Sequence, residues 1–301
     1  MKEHINICFV TDRNYFTNMV VALDSLLDNN HSRHSYHLFI VDVGIGSDNR
    51  HFLMDRYEGR GDVKIEFVGL NDTVFRKYRL KTHVSSAAYA KMYISEIIEV
   101  DKVIYLDCDV LVNADISHLW SHFEEDVIVK AVWNPFYDYD NHYLGISGNQ
   151  RTFNSGVMLL NLALMREYNA ASRLKEFLDR YHDKTKLHDQ AAFNAVFKAQ
   201  WKELDYGWNY QVSMILNHYN RLGMSKNRYF SLYSDPKIIH FTSNSKPWQF
   251  RNCHPYKQRF IERYNAVFGN AILTDRDTIN LLRKIKESLT YKYYYLINKI
   301  F

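Results

Sequence analysis

Apolar residues in this chain come in short runs separated by polar segments with helical spacing. "INICFV" (5–10), "YHLFIVDV" (36–43) and "VKIEFVGL" (63–70) are compact apolar stretches without helical period, the pattern of buried strands. Between the first two, Phe16, Val20, Leu23 and Leu27 recur at spacings of four, three and four, which is one face of a helix. "DNRHFLMDRYE" (48–58) reads as a second helix, and residues 85–98 as a third leading into the strand "KVIYLDCDV" (102–110). Alternating strands and helices predict an α/β protein with a Rossmann-like, mostly parallel sheet flanked by helices. The second half adds strands at "VIVKAVW" (127–133) and "GVMLLNL" (156–162) and a helix at "LHDQAAFNAVF" (187–197). A late strand then runs into a polar loop at "KIIHFTSNSKPW" (237–248).

The pattern changes near the end. Ile279, Leu282, Ile285, Leu289, Tyr293, Leu296 and Ile300 fall on one helical stripe, and Asn280 to Phe301 holds five Lys or Arg against one acid. A basic, aromatic-rich amphipathic helix is suited to lie on an anionic inner leaflet; the alternative is a helix packed on the domain's own surface. The chain thus divides into a main domain over 1–268 and a basic amphipathic segment over 269–301.

Composition narrows the classes. A chain of 301 residues with 47% hydrophobic and 24% charged residues can bury a sizeable core. Its net charge of +4 is too mild to argue for nucleic acid. Three widely spaced cysteines, Cys8, Cys108 and Cys253, suggest free thiols in a reducing cytoplasm. The N-terminal apolar run is interrupted too soon for a signal peptide, and no stretch approaches the roughly 18 apolar residues of a spanning helix.

The chemistry concentrates where strands end, the usual place for ligands in such sheets. The first strand ends at Thr11-Asp12 and the central one at Asp107-Cys108-Asp109. Neither G-x-G-x-x-G nor G-x-x-x-x-G-K-[ST] occurs, so the ligand is held by another device. Carboxylates closing an apolar strand need compensation, and on an extended chain Asp107 and Asp109 would point to the same side, poised for a divalent cation. Two other D-x-D pairs, Asp138/Asp140 and Asp275/Asp277, sit in polar sequence where acids are simply solvated. His240 adds an imidazole, and Lys246 after a short loop offers a point charge for phosphate. Carboxylates with imidazole suit manganese-like or magnesium-like ions rather than zinc. His31, His34 and His37, in a polar connecting segment, read as surface residues rather than ligands.

"FVTDRNY", "YAKMYI", "VIYLDCDVLV", "FNSGVMLLNL", "HDQAAFN" and "IIHFTSNSKPW" together, in this order over about residues 5–250, resemble the retaining glycosyltransferases of family 8, above all the bacterial lipooligosaccharide α-galactosyltransferase type. The resemblance implies a GT-A fold, with 1–268 as the catalytic domain, a UDP-sugar donor and Mn2+, with Mg2+ as a substitute. Residue by residue it assigns Asp107, Asp109 and His240 as metal ligands, Lys246 to the diphosphate, and Asp12, Asn14 and Tyr15 to uridine, Tyr15 stacking on the base. Val10, Lys91, Cys108, Asn134 and Ser243 match other donor-site positions. Asn154, Asp189 and Gln190 match the surroundings of the donor sugar and its anomeric carbon. Three positions depart from the family: Lys91 replaces Arg, Asn134 replaces Asp, and Ser243 replaces Gly.

These readings imply a cytoplasmic hexosyltransferase, with galactose favoured over glucose and a saccharide or glycolipid acceptor in lipopolysaccharide or other surface-glycan assembly. Retention allows either a double displacement on Gln190, with Asp189 adjacent, or a front-face attack in which UDP's own oxygen takes the acceptor proton; the second is preferred because an amide is a poor nucleophile. A metal-dependent nucleotide-sugar hydrolase and a non-catalytic sugar-nucleotide binder are the competing classes. Residues 134–152 are expected to form a lid in which Tyr137, Tyr139 and Tyr143 either stack on sugar or lie on the surface.

Overall fold

The computed structural model describes residues 4–31, 34–57, 59–70, 87–135, 137, 141–148, 150–270, 273–274 and 278–300. Its strands are β1 (His4–Thr11), β2 (Ser35–Asp42), β3 (Val63–Gly69), β4 (Lys102–Leu106), β5 (Val110–Val112), β6 (Val129–Trp133), β7 (Phe153–Asn161), β8 (Trp201–Glu203), β9 (Tyr210–Gln211) and β10 (Ile238–His240). Contacts gather the chain into two compact units. One comprises Met1–Met19, Asn30–Cys108 and Ile116–Leu204; the other comprises Val20–Asn29, Asp109–Asp115 and Asp205–Phe301.

The first unit holds a seven-stranded sheet in the order β3-β2-β1-β4-β7-β6-β8. β1, β2, β3 and β4 pair in parallel, as do β6 and β8, whereas β7 runs antiparallel to both β4 and β6. Every residue of β7 is buried, as expected for a central strand covered on both faces. The second unit holds a three-stranded sheet, β5-β10-β9, with β10 antiparallel to β5.

Two expectations change. The run "KVIYLDCDV" is not one strand: β4 ends at Leu106 and β5, in the other sheet, starts at Val110, with a turn at Cys108 and Asp109. That turn, not strand alternation, therefore sets the directions of the two aspartates. Within 85–98, described from residue 87, the backbone is not a continuous helix. Ala87–Ala90 and Ile94–Ile97 are short α-turns joined by a 3₁₀ turn, Lys91–Tyr93, where tertiary packing overrides the periodic pattern.

The helix Phe16–Asp28 buries the predicted stripe and also Met19, Val21, Ala22 and Leu26, so it is apolar nearly all round. The tail forms one helix, Thr278–Ile300. Its apolar stripe faces solvent: Ile279, Leu282, Leu289 and Ile300 are each more than 60% exposed. The face against the unit is polar and aromatic, with Asn280, Tyr291 and Asn298 buried. Asn298 accepts from Tyr219 N at 2.9 Å and donates to Asn217 O at 3.0 Å, and Tyr295 packs on Phe230 and Tyr233. The helix therefore does pack on its own unit, the alternative reading, but through hydrogen bonds and rings on its polar face rather than through the apolar stripe. Among the described residues no helix is long and apolar enough to cross a membrane.

Candidate active site

Each unit carries a cluster of charged side chains. In the first unit, the 3₁₀ turn points Lys91 inward, where it is only 3% exposed. Its ammonium lies 2.6 Å from Asp189 Oδ2 and 3.8 Å from Asp107 Oδ1, and donates to Ser155 Oγ at 2.9 Å. The rings of Tyr105 and Phe193 stand 5.3 and 6.0 Å from it. Tyr105 donates its hydroxyl to Asp107 Oδ1 at 2.6 Å, and burial followed by the Asp107 charge pushes that phenol well above its ordinary range.

A register shift between Ala131 and Val132 loosens the β6–β7 ladder beside Asn154, Ser155 and Gly156, and side chains take over the hydrogen bonds there. Gly156 N donates to Asn154 Oδ1 at 3.0 Å; Asn154 Nδ2 and Ser155 N both donate to Gln190 Oε1, at 3.1 and 3.2 Å. Because a backbone N–H can only donate, Gly156 and Ser155 fix which way both amides face. The Gln190 carbonyl is thereby doubly engaged, while its buried Nε2 has no hydrogen-bond partner among the described residues. Asn194 holds Gln190 to the strand by bracketing both backbone groups of Phe153.

In the second unit, β10 carries His240 opposite Val110 of β5, directly after Asp109. His240 Nε2 lies 3.2 Å from Asp109 Oδ1, and Lys246 Nζ lies 2.5 Å from Asp109 Oδ2 while also donating to Phe241 O at 2.7 Å. Burial alone would raise the Asp109 pKa; Lys246 and His240 outweigh it and hold that carboxyl far below the usual range. His240 Nδ1 bonds Asn209 Oδ1 at 2.9 Å, an arrangement that leaves Nε2 to present its lone pair. Asp107, two residues before Asp109 in the chain, completes a set with Asp109 and His240 whose ligand atoms lie within 4.8 Å of one another. Two carboxylates and an imidazole form a donor set that fits a hard divalent cation.

The other expected residues are placed as follows. Asp12 Oδ1 accepts from Asn14 N and Tyr15 N at 2.9 and 3.0 Å, turning the chain out of β1; Asn14 is exposed and Tyr15 half-buried. Cys108 donates its thiol to Val10 O at 3.2 Å. Asn134 is half-buried, its N–H bonded to Thr152 O. Ser243 hydrogen-bonds Ser245 at both its backbone groups. Tyr137 is core, 4% exposed, which corrects its expected place on a sugar-facing or open surface; Tyr143 packs on Tyr181. Tyr139, Asp138, Asp140, Asp275 and Asp277 lie outside the described residues. His31 is exposed, but His37 sits in β2 bonded to Glu66 rather than in a connecting loop. Sequence reading missed Tyr105, Ser155 and Asn209. Tyr105 was detectable in principle, two residues before Asp107; nothing local marks the other two.

A sheet of this topology with an acid–imidazole cluster at the turn after β4 has GT-A architecture. The family model for glycosyl transferase family 8 matches residues 6–252. The chain belongs to that family. General stress protein A of Bacillus subtilis is 29% identical over 276 residues, covering 90% of this chain and 96% of the relative. Glycosyltransferase GlyF of Streptococcus pneumoniae is 28% identical over 224 residues, covering 74% of this chain but only 53% of the relative. The crystal structure of galactosyltransferase LgtC with donor and acceptor sugar analogs superposes with a TM-score of 0.75 at 24% identity, covering 93% of this chain and 100% of that one.

Proposed function

We propose that the protein is a cytoplasmic, metal-dependent retaining hexosyltransferase that moves a hexose from a UDP-sugar to a saccharide hydroxyl with α-linkage. The observation that carries this reading is the convergence of Asp107, Asp109 and His240 beside Lys246. Asp107, Asp109 and His240 hold the cation, Mn2+ or Mg2+. When bound, it neutralises charge on the departing diphosphate. Lys246, standing as counterion to Asp109, turns to the diphosphate once that carboxylate is otherwise compensated. Tyr15, with Asp12 and Asn14, receives the uridine, and Val10, Cys108, Asn134 and Ser243 line the donor's path. Residues 1–268 carry this catalytic site.

Around the sugar, Asn154, Asp189, Gln190 and Lys91 supply hydrogen bonds. Gln190 Oε1 is occupied by two donors, and Asp189 Oδ2 is paired with Lys91. Neither is set as a free nucleophile, which supports front-face attack. In that route the bond from the anomeric carbon to the phosphate oxygen breaks, the acceptor oxygen bonds to the same face, and its proton passes to the departing phosphate. Galactose is our first expectation for the sugar and glucose our second, on the motif resemblance. The exposed stripe of the tail helix, with Arg283, Lys286, Lys292 and Lys299 alongside, supports docking of residues 269–301 on an anionic leaflet where lipid-linked acceptors reside.

The test is UDP release from UDP-galactose, UDP-glucose and UDP-N-acetylhexosamines, with Mn2+ and then with chelator. Slow release from one donor, lost on chelation and in Asp109→Ala, supports the reading. Release indifferent to chelator refutes it.

A further inference from the structure

The tail helix Thr278–Ile300 carries a single acid, Glu287, among five lysines and arginines. Its Oε2 accepts from Ser245 Oγ at 2.8 Å, and its Oε1 accepts from Cys253 N at 3.0 Å. Ser245 immediately precedes Lys246, and Cys253 closes the same loop, so one carboxylate clamps both ends of the segment that carries the lysine. Besides a bridge from Gln249 to Thr274 and the packing of Trp248 on Phe260, the loop is held by polar groups. Lys246 N donates to Gln249 Oε1 at 2.9 Å, and Asn252 Nδ2 donates to Ser245 O at 2.7 Å. From the helix Lys257–Phe268, Lys257 Nζ collects the carbonyls of Gln249 and Asn252 at 2.6 and 3.1 Å. Lys284, one turn before Glu287, adds its carbonyl to the Cys253 thiol at 3.4 Å and its ammonium over the Phe250 ring at 4.1 Å. A cation thus gathers the loop's carbonyls from one helix while an anion gathers its N–H and O–H from another.

We infer that Glu287 is a positioning residue for Lys246, so that the tail helix is part of the diphosphate-binding apparatus and not an appendage to it. The inference rests on the assignment of Lys246 to the diphosphate made above. A lysine side chain pays conformational entropy to hold one pose, and a loop clamped at both ends reduces what is paid at the moment of binding. Without the clamp, Lys246 keeps its charge but samples more positions, so the loss falls on groups reached only by that ammonium.

Calorimetric titration of the Mn2+-loaded full chain with UDP and with UMP tests this. Glu287→Ala is expected to weaken UDP binding about tenfold, the scale of one charge-assisted contact, and to leave UMP binding unchanged. Lys246→Ala is expected to do the same, and the double variant to be no worse than either single one. Glu287→Gln, which can accept from Cys253 N and donate to Ser245 Oγ, restores most of the affinity. If Lys246→Ala weakens UDP binding and Glu287→Ala does not, or weakens UDP and UMP equally, the positioning role is refuted. If Lys246→Ala leaves UDP binding intact, the diphosphate assignment fails and the inference falls with it.

Discussion

Two lysine–aspartate pairs of almost equal length do opposite things. Lys91 and Asp189, 2.6 Å apart, are closed in: the lysine is 3% exposed and rests against Ser155, Tyr105 and Phe193. Lys246 and Asp109, 2.5 Å apart, are tied to a polar loop, and the aspartate also faces His240. The first lysine sits in a socket built from two sheet strands and a helix. In the proposed function the second would leave, because a divalent cation would offer Asp109 an alternative counterion. If that holds, distance alone does not distinguish a structural ion pair from an exchangeable one; the surroundings of the cation do.

The largest effect is expected at the exchangeable pair. Asp109→Ala removes a cation ligand and is expected to lower metal-dependent turnover about 10³-fold, the rate equivalent of several kcal/mol of lost charge stabilisation, measured as UDP release. Next, Lys91→Met leaves Asp189 and Asp107 without their buried cation. It is expected to destabilise the fold by about 3 kcal/mol in urea denaturation, with no recovery on adding Mn2+. Lys246→Met is also destabilising, but Mn2+ is expected to restore its midpoint. Equal behaviour of the two variants toward Mn2+ would erase the distinction. A smaller change, Asn209→Ala, frees the His240 ring and should weaken Mn2+ affinity roughly 10- to 100-fold by equilibrium titration.

The smallest contrast separates two buried histidines of the second unit. His254 packs against Phe241, Tyr256 and Tyr291, and burial, aided by the Lys246 charge, lowers its pKa to about 3. Its unfolded value is near 6.5, so between these limits the unfolded chain binds a proton that the folded chain does not. Stability is therefore present above pH 6.5 and declines toward pH 3, by about 1.4 kcal/mol per unit for this one group. His254→Leu is expected to flatten that slope in denaturation curves taken from pH 7 to pH 4. An unchanged slope would show that His254 is protonated in the folded protein.

Much of the sheet was legible because buried strands need unbroken apolar runs: β1, β2, β3, β6 and β10 lie where those runs lie. The antiparallel course of β7 was not legible, since a strand buried on both faces carries no mark of its direction. The break after Leu106 was hidden for a similar reason: Val110–Val112 is as apolar as Lys102–Leu106, and only the partner strands distinguish them. Family motifs brought Asp107, Asp109, His240 and Lys246 to attention, and the structure places all four in the two clusters. Asn209, Ser155 and Glu287 escaped because their importance lies in partners 31 to 64 residues away in sequence. The tail's periodicity was legible, whereas the polar and aromatic contacts that dock its other face were not, since a stripe reports amphipathicity and not what holds the opposite side.

The clamp on the Lys246 loop also determines which thiol can be addressed chemically. Cys8 and Cys108 are sealed, with burial driving the Cys8 thiol upward, whereas Cys253 is half-exposed and its thiol is raised more modestly by burial and Glu287. A fluorophore carried on a maleimide would therefore label one known position without removing any cysteine. The backbone N–H at that position donates to the carboxylate of Glu287, so the dye's rotational freedom would give a continuous optical record of the loop while donor, cation or vesicle is added.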